Sequence, residues 1–503
     1  MSKITRNNFF FLLCLLFLFS IKSSANVDEP IIVAGKAKIT GSLIKPNAAN
    51  GNIDVHITVP HPISGEYVKY KTQTNQDGVF ALDVDIETNT ALIYLNTSIN
   101  PENVLYVKVT NGGVANIDIT YNSDDEIKSI GIAPNMPQAD IARSFELIMK
   151  MLTYKSGRTP ESLYDKTPGY FLQYAKNILS ERLAVVNNDI SISKEFKDIL
   201  VKDFSMTLYN NHVFDYEEEM LMNFSNVTRG EEVKPILKKI DRTYFGFLKE
   251  FKLNNPLYLQ CPTFLEFQKA ILQNEVLALP KIEESDIATW LKNMKAILAD
   301  LVGFDNGLYY DILAANAYGG QLNEELRPLS DKQKKNIEKY WKNGEIAKIL
   351  LKKNQEIVAL EKLKSPLVVN DVTSVANDKI VETILAKHQN KVVVIDFWAT
   401  WCVPCLNAMQ EFRATKDQFK GKEVVFVYLT NGSSPKKLWE EKIKGIGSEH
   451  YYLNGPQWKY LMNHYDFEYI PSYLIYDKGA KLINKFSAFP GSEKVKEMIN
   501  SLL

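Results

Sequence analysis

The chain has 503 residues, of which 45% are hydrophobic and 24% are charged, and its formal net charge at pH 7 is -1. This length exceeds what one hydrophobic core supports and predicts about three domains. Because a phosphate backbone attracts proteins with an excess of positive charge, the balanced composition argues against nucleic acid as a partner.

The first 25 residues have the layout of a secretory signal peptide. Lys3 and Arg6 precede an apolar run at 9–21, and small residues follow at 23–25. An uncleaved anchor is the less favoured alternative, because about 13 apolar residues fall short of the roughly 20 that span a bilayer. We therefore expect export to the periplasm or cell envelope, with cleavage after Ala25.

Residues 26–130 are predicted to form a β-sandwich. Short segments such as "GNIDVHITV", "GVFALDVDI" and "VLYVKVT" alternate between apolar and polar residues and are separated by turn formers, which favours an antiparallel sandwich. The turn "NQDGVF" joins two of these segments, with Gly78 free to take a positive φ. Through Asp77, Gly78 and Phe80 the segment resembles carboxypeptidase regulatory-like and transthyretin-like sandwiches, which implies a supporting or binding role.

Residues 131–365 are predicted to form a helical domain. Apolar residues recur at helical spacing in "YFLQYAKNILSERL" and in "DIATWLKNMKAILADLVG". Two start signals agree with this interpretation: Thr159 is followed by Pro160, and Ser330 stands three residues before Gln333 as in a capping box.

Residues 366–503 have the pattern of an α/β domain. The runs "VVVIDFWA" and "VVFVYL" are almost continuously apolar, as in central strands that are covered on both faces. A helix containing Cys405 should join them as a right-handed crossover. A helix at 435–444, the strands "SYLIYD" and "KLINKF", and a last helix from Ser492 complete the predicted order.

The motif "WCVPC" places Cys402 and Cys405 between a buried strand and a helix. Unpaired N–H groups at a helix N-terminus favour a thiolate, and a second thiol one turn away can resolve a mixed disulfide. A zinc site needs two further ligands, which the scattered histidines and the distant Cys261 do not supply. Two buried structural thiols remain the other alternative. Cys261 itself fits a small buried hydrophobe better than a third redox partner.

The stretch "VVVIDFWATWCVPC" at 392–405 closely resembles the active-site strand and helix start of thioredoxins. Within that family "FWATWCVPC" is similar to the TlpA/ResA branch of exported disulfide reductases. The resemblance implies that Cys402 is the attacking cysteine and Cys405 the resolving one. It also implies that Val403 and Pro404 form the dipeptide that tunes the reduction potential.

Three further positions follow from the same resemblance. Asp396 falls on the buried acid that takes the proton of Cys405, and a carboxyl in apolar surroundings has the raised pKa that this role needs. A satisfied structural carboxylate is the alternative for Asp396. In "YIPSYLIYD", Pro471 falls on the family's cis-proline with Ile470 before it, where an extended substrate can pair with the backbone. Trp401 is expected to shape the substrate-binding surface.

The resemblance implies an exported thiol-disulfide oxidoreductase with no cofactor or metal. We expect it to reduce disulfide-bearing envelope proteins and to be recharged by a membrane thiol electron donor. An oxidase or isomerase with the same cysteine pair is one alternative, because the dipeptide alone does not fix the potential. A binding or assembly factor, with this domain as a scaffold, is another, since more than two thirds of the chain lies outside it.

Overall fold

The computed structural model describes residues 29–45, 52–123, 125–133, 136–155, 157, 161–228, 235–362 and 366–503. The predicted signal peptide and the helix start at Thr159 lie outside the described residues. The described residues form a sheet-rich N-terminal region, a helical middle region and a C-terminal α/β domain, which confirms the predicted fold class. No helix among the described residues combines the length and the apolar character that crossing a membrane requires.

Eight strands form two facing four-stranded sheets with the orders β4-β1-β7-β8 and β3-β2-β5-β6. Their bounds are β1 (Ile32–Ile44), β2 (Asp54–His61), β3 (Glu66–Gln73), β4 (Val79–Thr88), β5 (Thr90–Thr97), β6 (Leu105–Thr110), β7 (Val114–Tyr121) and β8 (Ile127–Ala133). Alternate side chains of both sheets meet in one core, with Ile39 and Ile117 from the first sheet and Ile57 and Ile93 from the second fully enclosed.

The prediction that this sandwich is antiparallel is wrong for one pair, because β1 and β7 run parallel. The chain reaches β7 from β6 of the opposite sheet, so no hairpin sets the direction of β7 against β1. Gly78 has φ +79° in the turn before β4. That turn leads from one sheet to the other, since β3 and β4 belong to different sheets.

The helical region contains ten α-helices within the described residues, and two short 3-10 helices at Arg242–Phe247 and Pro256–Gln260. The α-helices are α1 (Gln138–Leu152), α2 (Pro168–Asn187), α3 (Lys194–His212), α4 (Tyr216–Thr228), α5 (Leu248–Phe251), α6 (Phe264–Gln273), α7 (Ile287–Val302), α8 (Leu308–Asn323), α9 (Asp331–Trp341) and α10 (Glu345–Lys362). The predicted capping box of Ser330 and Gln333 begins α9. The apolar stripe of α7, which includes Trp290 and Met294, is buried, and Gly303 ends this helix with φ +87°.

The C-terminal domain has a six-stranded sheet with the order β14-β13-β10-β11-β12-β9. Its elements are β9 (Leu367–Asn370), α11 (Ile380–Lys387), β10 (Val392–Phe397), α12 (Val403–Asp417), β11 (Val424–Asn431), α13 (Lys436–Ile446), β12 (Ser448–Leu453), α14 (Gly455–His464), β13 (Ser472–Tyr476), β14 (Leu482–Ser487) and α15 (Ser492–Asn500). Every residue of β10 is buried, and α12 joins it to the parallel strand β11 as predicted. The strands β9 and β12 and the helices α11 and α14 were not predicted.

Two buried polar contacts join the three regions. Lys442 in α13 of the C-terminal domain places Nζ 3.5 Å from Oε2 of Glu324, the residue after α8, and its side chain is only 4% exposed. Asn316 in α8 donates a hydrogen bond to the carbonyl oxygen of Pro62 in the sandwich (2.8 Å). Helix α8 therefore contacts the sandwich through Asn316, and the residue after the helix contacts the C-terminal domain.

Candidate functional site

Cys402 and Cys405 form a disulfide at the N-terminus of α12. Cys402 is the N-cap residue, and its Sγ accepts a hydrogen bond from the backbone N–H of Cys405 at 3.2 Å. Cys402 is 3% exposed and Cys405 is completely enclosed. An incoming sulfur therefore reaches Cys402 first, and the same N–H that contacts this sulfur now can stabilise it as a thiolate when the disulfide is reduced.

The loop before the disulfide is held by the segment that follows β11. The backbone N–H of Thr400 donates to Oγ of Ser434 (3.0 Å), and Nε1 of Trp401 donates to Oγ of Ser433 (3.1 Å). Neither serine was predicted as part of the site. A signal was available, because β10 and β11 are parallel and their carboxyl ends must meet at one edge of the sheet.

Most of the predicted substrate-binding residues surround the disulfide. Trp401 is 59% exposed, and Pro404 is exposed in the first turn of α12, which Val403 begins. The peptide bond between Ile470 and Pro471 is cis. Ile470 is half-buried and packs against the apolar cluster that contains both cysteines. The structure thus brings a residue from the loop before β13 to a motif about 65 positions earlier in the chain.

Tyr469 adds to this surface and was not predicted. Its ring is 56% exposed, next to the half-buried Ile470. Exposed aromatic side chains beside a reactive group are typical of a docking surface. Its position directly before the cis peptide was the signal that could have identified it.

Asp396 lies in β10 and is 6% exposed. Its Oδ1 has no hydrogen-bond partner, and burial raises the pKa of the carboxyl well above its usual range, against a smaller opposing effect of Lys416. The carboxyl borders a cavity of about 30 Å³ that Ala408 and Met409 of α12 line from above. Met409 also packs in the cluster of the two cysteines, so the cavity lies one helical turn from the disulfide. A carboxyl whose pKa is raised in this way can both accept and return a proton.

Cys261 is buried in the core of the helical region, apart from the cluster of the other two cysteines. Burial raises the pKa of its thiol well above the usual value, so it stays protonated. This environment fits the interpretation of Cys261 as a small buried hydrophobe. Within the described ranges, no group of three or more His, Cys, Asp or Glu side chains is placed to hold a metal ion.

Residues 390–482 match the model of a family described as thioredoxin-like. The chain is 38% identical over 56 residues to a thioredoxin of Mycoplasma genitalium, a match that covers 11% of this chain and 53% of that protein. It is 28% identical over 68 residues to a thioredoxin of Coprinus comatus, with 14% and 64% covered. These matches span between half and two thirds of the curated relatives.

Among solved structures, the thioredoxin domain of a thiol-disulfide oxidoreductase from Bacteroides vulgatus is similar to this chain at 19% identity and a TM-score of 0.21. The match covers 23% of this chain and 84% of that one.

Proposed function

Because the C-terminal region is a thioredoxin-like domain, we propose that this protein is a thiol-disulfide oxidoreductase that works through Cys402 and Cys405. The observation that carries the proposal is the disulfide itself. It caps a helix N-terminus, and its more accessible sulfur accepts a backbone N–H. A dithiol in this position is suited to cycle between thiolate and disulfide.

The reaction begins with the reduced pair. The Cys402 thiolate attacks one sulfur of a substrate disulfide, forming a mixed disulfide, and the other substrate sulfur leaves as a thiolate that takes a proton from solvent. The Asp396 carboxylate then accepts the proton of Cys405, whose thiolate attacks Sγ of Cys402. The bond between Cys402 and the substrate breaks, and the second substrate thiolate leaves and takes up the proton that Asp396 gives back as it returns to the carboxylate. Two electrons have passed to the substrate, and the pair is left as a disulfide.

The remaining predicted site residues have roles around this step. Trp401, Ile470 and Pro471 form the surface on which an extended substrate segment lies. The exposed Trp401 directly precedes Cys402, and Ile470, at the cis peptide, packs against the cluster of the two cysteines. Val403 and Pro404 separate the two cysteines in the chain and affect the reduction potential of the pair.

We further propose that the protein is exported and reduces disulfides in envelope proteins, in the manner of the TlpA/ResA branch. Support comes from the signal-like sequence at 1–25 and from the motif "FWATWCVPC". Recharging the pair needs a dithiol donor, which we place in the membrane. A potential near -270 mV fits a reductase, whereas a value near -120 mV belongs to a strong oxidant and would overturn this direction.

Insulin reduction with dithiothreitol tests the chemistry. The full chain should accelerate precipitation of the insulin B chain, and Cys402→Ser should fall to the uncatalysed rate. Cys261→Ser is the matched control, because it also removes one thiol but lies outside the site, and it should keep the wild-type rate. Equal rates for wild type and Cys402→Ser contradict an enzyme and favour a binding or assembly factor.

The substrate class is tested by a trap. In Cys405→Ala the mixed disulfide cannot be resolved, so envelope proteins should remain bound to Cys402 through a bond that dithiothreitol releases. Cys402→Ala is the control and should capture none. A trap that holds only cytoplasmic proteins would contradict the envelope assignment.

A further inference from the structure

A row of polar side chains crosses the sheet beneath α12. Tyr473 on β13, Asp396 on β10, Tyr428 on β11 and His450 on β12 are successive register partners. Asp396 and the two tyrosines line the same cavity, and the His450 ring stacks on Tyr428 with centroids 5.0 Å apart. Three atoms of this row have no hydrogen-bond partner: Oδ1 of Asp396, the hydroxyl of Tyr473 and Nδ1 of His450.

Lys416, in the last turn of α12, reaches into this row. It is 6% exposed, and its Nζ donates to Oγ of Ser448 (3.2 Å), to the hydroxyl of Tyr428 (3.3 Å) and to the carbonyl oxygen of Ile446 (3.5 Å). Three acceptors match the three hydrogens of an ammonium group. The Tyr428 ring adds a face that lies 5.3 Å from Nζ. These contacts stabilise the charged form of this lysine against the cost of its burial.

The charge of Lys416 has no direct counter-ion. In the described part of the chain, no carboxylate oxygen forms an ion pair with its Nζ, and burial together with the nearby Arg413 lowers the pKa of Lys416 to about 7. Asp396 is the carboxyl that opposes this effect, and Lys416 in turn opposes the raised pKa of Asp396. Two buried groups of opposite charge thus depend on each other across Tyr428, since neither is screened by solvent.

The other charged and titratable neighbours do not replace Lys416. Burial lowers the pKa of His450 to about 3, so its ring is neutral at pH 7. Arg413 donates its Nη2–H to the carbonyl oxygen of Gly445, and the cation that opposes the raised pKa of Asp396 is Lys416, not Arg413. Tyr428 and Tyr473 stay protonated, since burial raises the pKa of both phenols.

We propose that Lys416 is a positioning residue for the proton step: its buried ammonium, anchored on Tyr428, stabilises the Asp396 carboxylate and sets the pH at which Asp396 takes the proton of Cys405. The inference rests on the proposed dithiol chemistry. Without this charge, Asp396 stays protonated to higher pH and accepts no proton from Cys405. The mixed disulfide is then resolved more slowly, although attack by Cys402 is unchanged.

The pH profile of insulin reduction tests this role in the full chain. Lys416→Met removes the charge but keeps an unbranched side chain, and the midpoint of the acid limb should rise by about one pH unit. The rate at pH 6.5 should fall roughly five- to tenfold, while the rate at pH 9 should stay within about twofold of wild type. Tyr428→Phe, which removes one of the three acceptors, should shift the midpoint in the same direction by less.

Lys420→Met is the matched control. It removes a charge four residues later, where Lys420 is exposed and pairs with Asp417 at 2.5 Å. Lys420 lowers the pKa of Lys416 less than burial and Arg413 do, so the midpoint should move far less than in Lys416→Met. If the midpoint of the acid limb is unshifted in Lys416→Met, the inference is overturned. If Lys416→Met does not fold, an unshifted midpoint in Tyr428→Phe overturns it instead. An equal shift in Lys420→Met overturns it too. If the wild type reduces no insulin at any pH, the proposed function fails as well. If the wild type is active but the midpoint is unshifted in the variants, only the inference about Lys416 fails.

Discussion

The α-carbon of Gly445 in α13 lies directly against the carbonyl oxygen of Glu325, so that a Cβ at position 445 would stand 2.1 Å from that oxygen. The carbonyl oxygen of Gly445 also accepts a hydrogen bond from Arg413 of α12. One glycine therefore joins the helical region to the helix that carries the disulfide.

We expect Gly445→Ala to destabilise the contact between these two regions by about 1–3 kcal/mol, because the new methyl group meets a backbone atom that cannot rotate away. Thermal unfolding and limited proteolysis of the full chain measure the change. Gly455→Ala in α14 is the control, since a Cβ there meets nothing within 4 Å. Equal stability of the two variants would show that the close contact of Gly445 with Glu325 does not contribute to the free energy of unfolding.

Asp396→Asn should make the protein more stable than wild type at pH 8 but not at pH 4. Burial raises the pKa of this carboxyl in the folded protein above its unfolded value of 3.8, so its contribution to stability is fully present below that value and is lost as the pH rises through the folded pKa. Asparagine cannot ionise and avoids this loss. Denaturant unfolding at both pH values measures it.

Asp371→Asn is the control, because the pKa of Asp371 is shifted in the opposite direction from that of Asp396. The Asp371 carboxylate accepts the backbone N–H of Thr373 at 2.9 Å on the surface, which lowers its pKa. Its contribution is therefore present at neutral pH and lost at low pH, so this variant should be slightly less stable than wild type at pH 8. A gain for Asp371→Asn, or none for Asp396→Asn, contradicts the assignment.

In the reduced protein, Cys402 should react with iodoacetamide at pH 6.5 at least about tenfold faster than Cys405 or Cys261. The physical reasons are the N–H of Cys405 at the Cys402 sulfur, the helix N-terminus and the access from solvent. Mass spectrometry of the labelled peptides gives the three rates. Faster labelling of Cys405 would reverse the roles of the two cysteines.

Trp401→Ala should raise KM for a disulfide-bearing protein substrate by roughly three- to tenfold and leave the free energy of unfolding within about 1 kcal/mol of wild type, because the ring is mostly exposed. Trp398→Ala is the contrasting variant. Its ring is fully buried, so its loss should cost about 3–5 kcal/mol of stability. An unchanged KM in Trp401→Ala would remove this residue from the docking surface.

Features that depend on neighbours in the chain could be predicted from the residues alone. Alternating and helical periodicities predicted the sheet-rich, helical and α/β regions, because each period reflects which face of a local element is buried. The position of Cys402 and Cys405 at a strand-to-helix junction could also be predicted from the sequence, since both cysteines lie within one turn of the predicted helix start.

Strands that contain several polar residues were not predicted by these periodicities. The strand β12 begins with Ser448, Glu449 and His450, and no apolar run marks it, yet it is buried between β11 and β9. The parallel pairing of β1 and β7 was not predicted either. Strand direction follows from the path of the chain between the sheets and not from the residues of either strand.

Only the tertiary structure decided which distant residues meet at the site. Ser433 reaches the Trp401 ring, Ile470 reaches the cysteines, and the side chain of Lys416 ends between α12 and the sheet, beside Tyr428. A lysine on a helix of unknown packing would be assigned to solvent. Register across a sheet and the side of a helix that faces it are set by packing over the whole domain, which no local pattern contains.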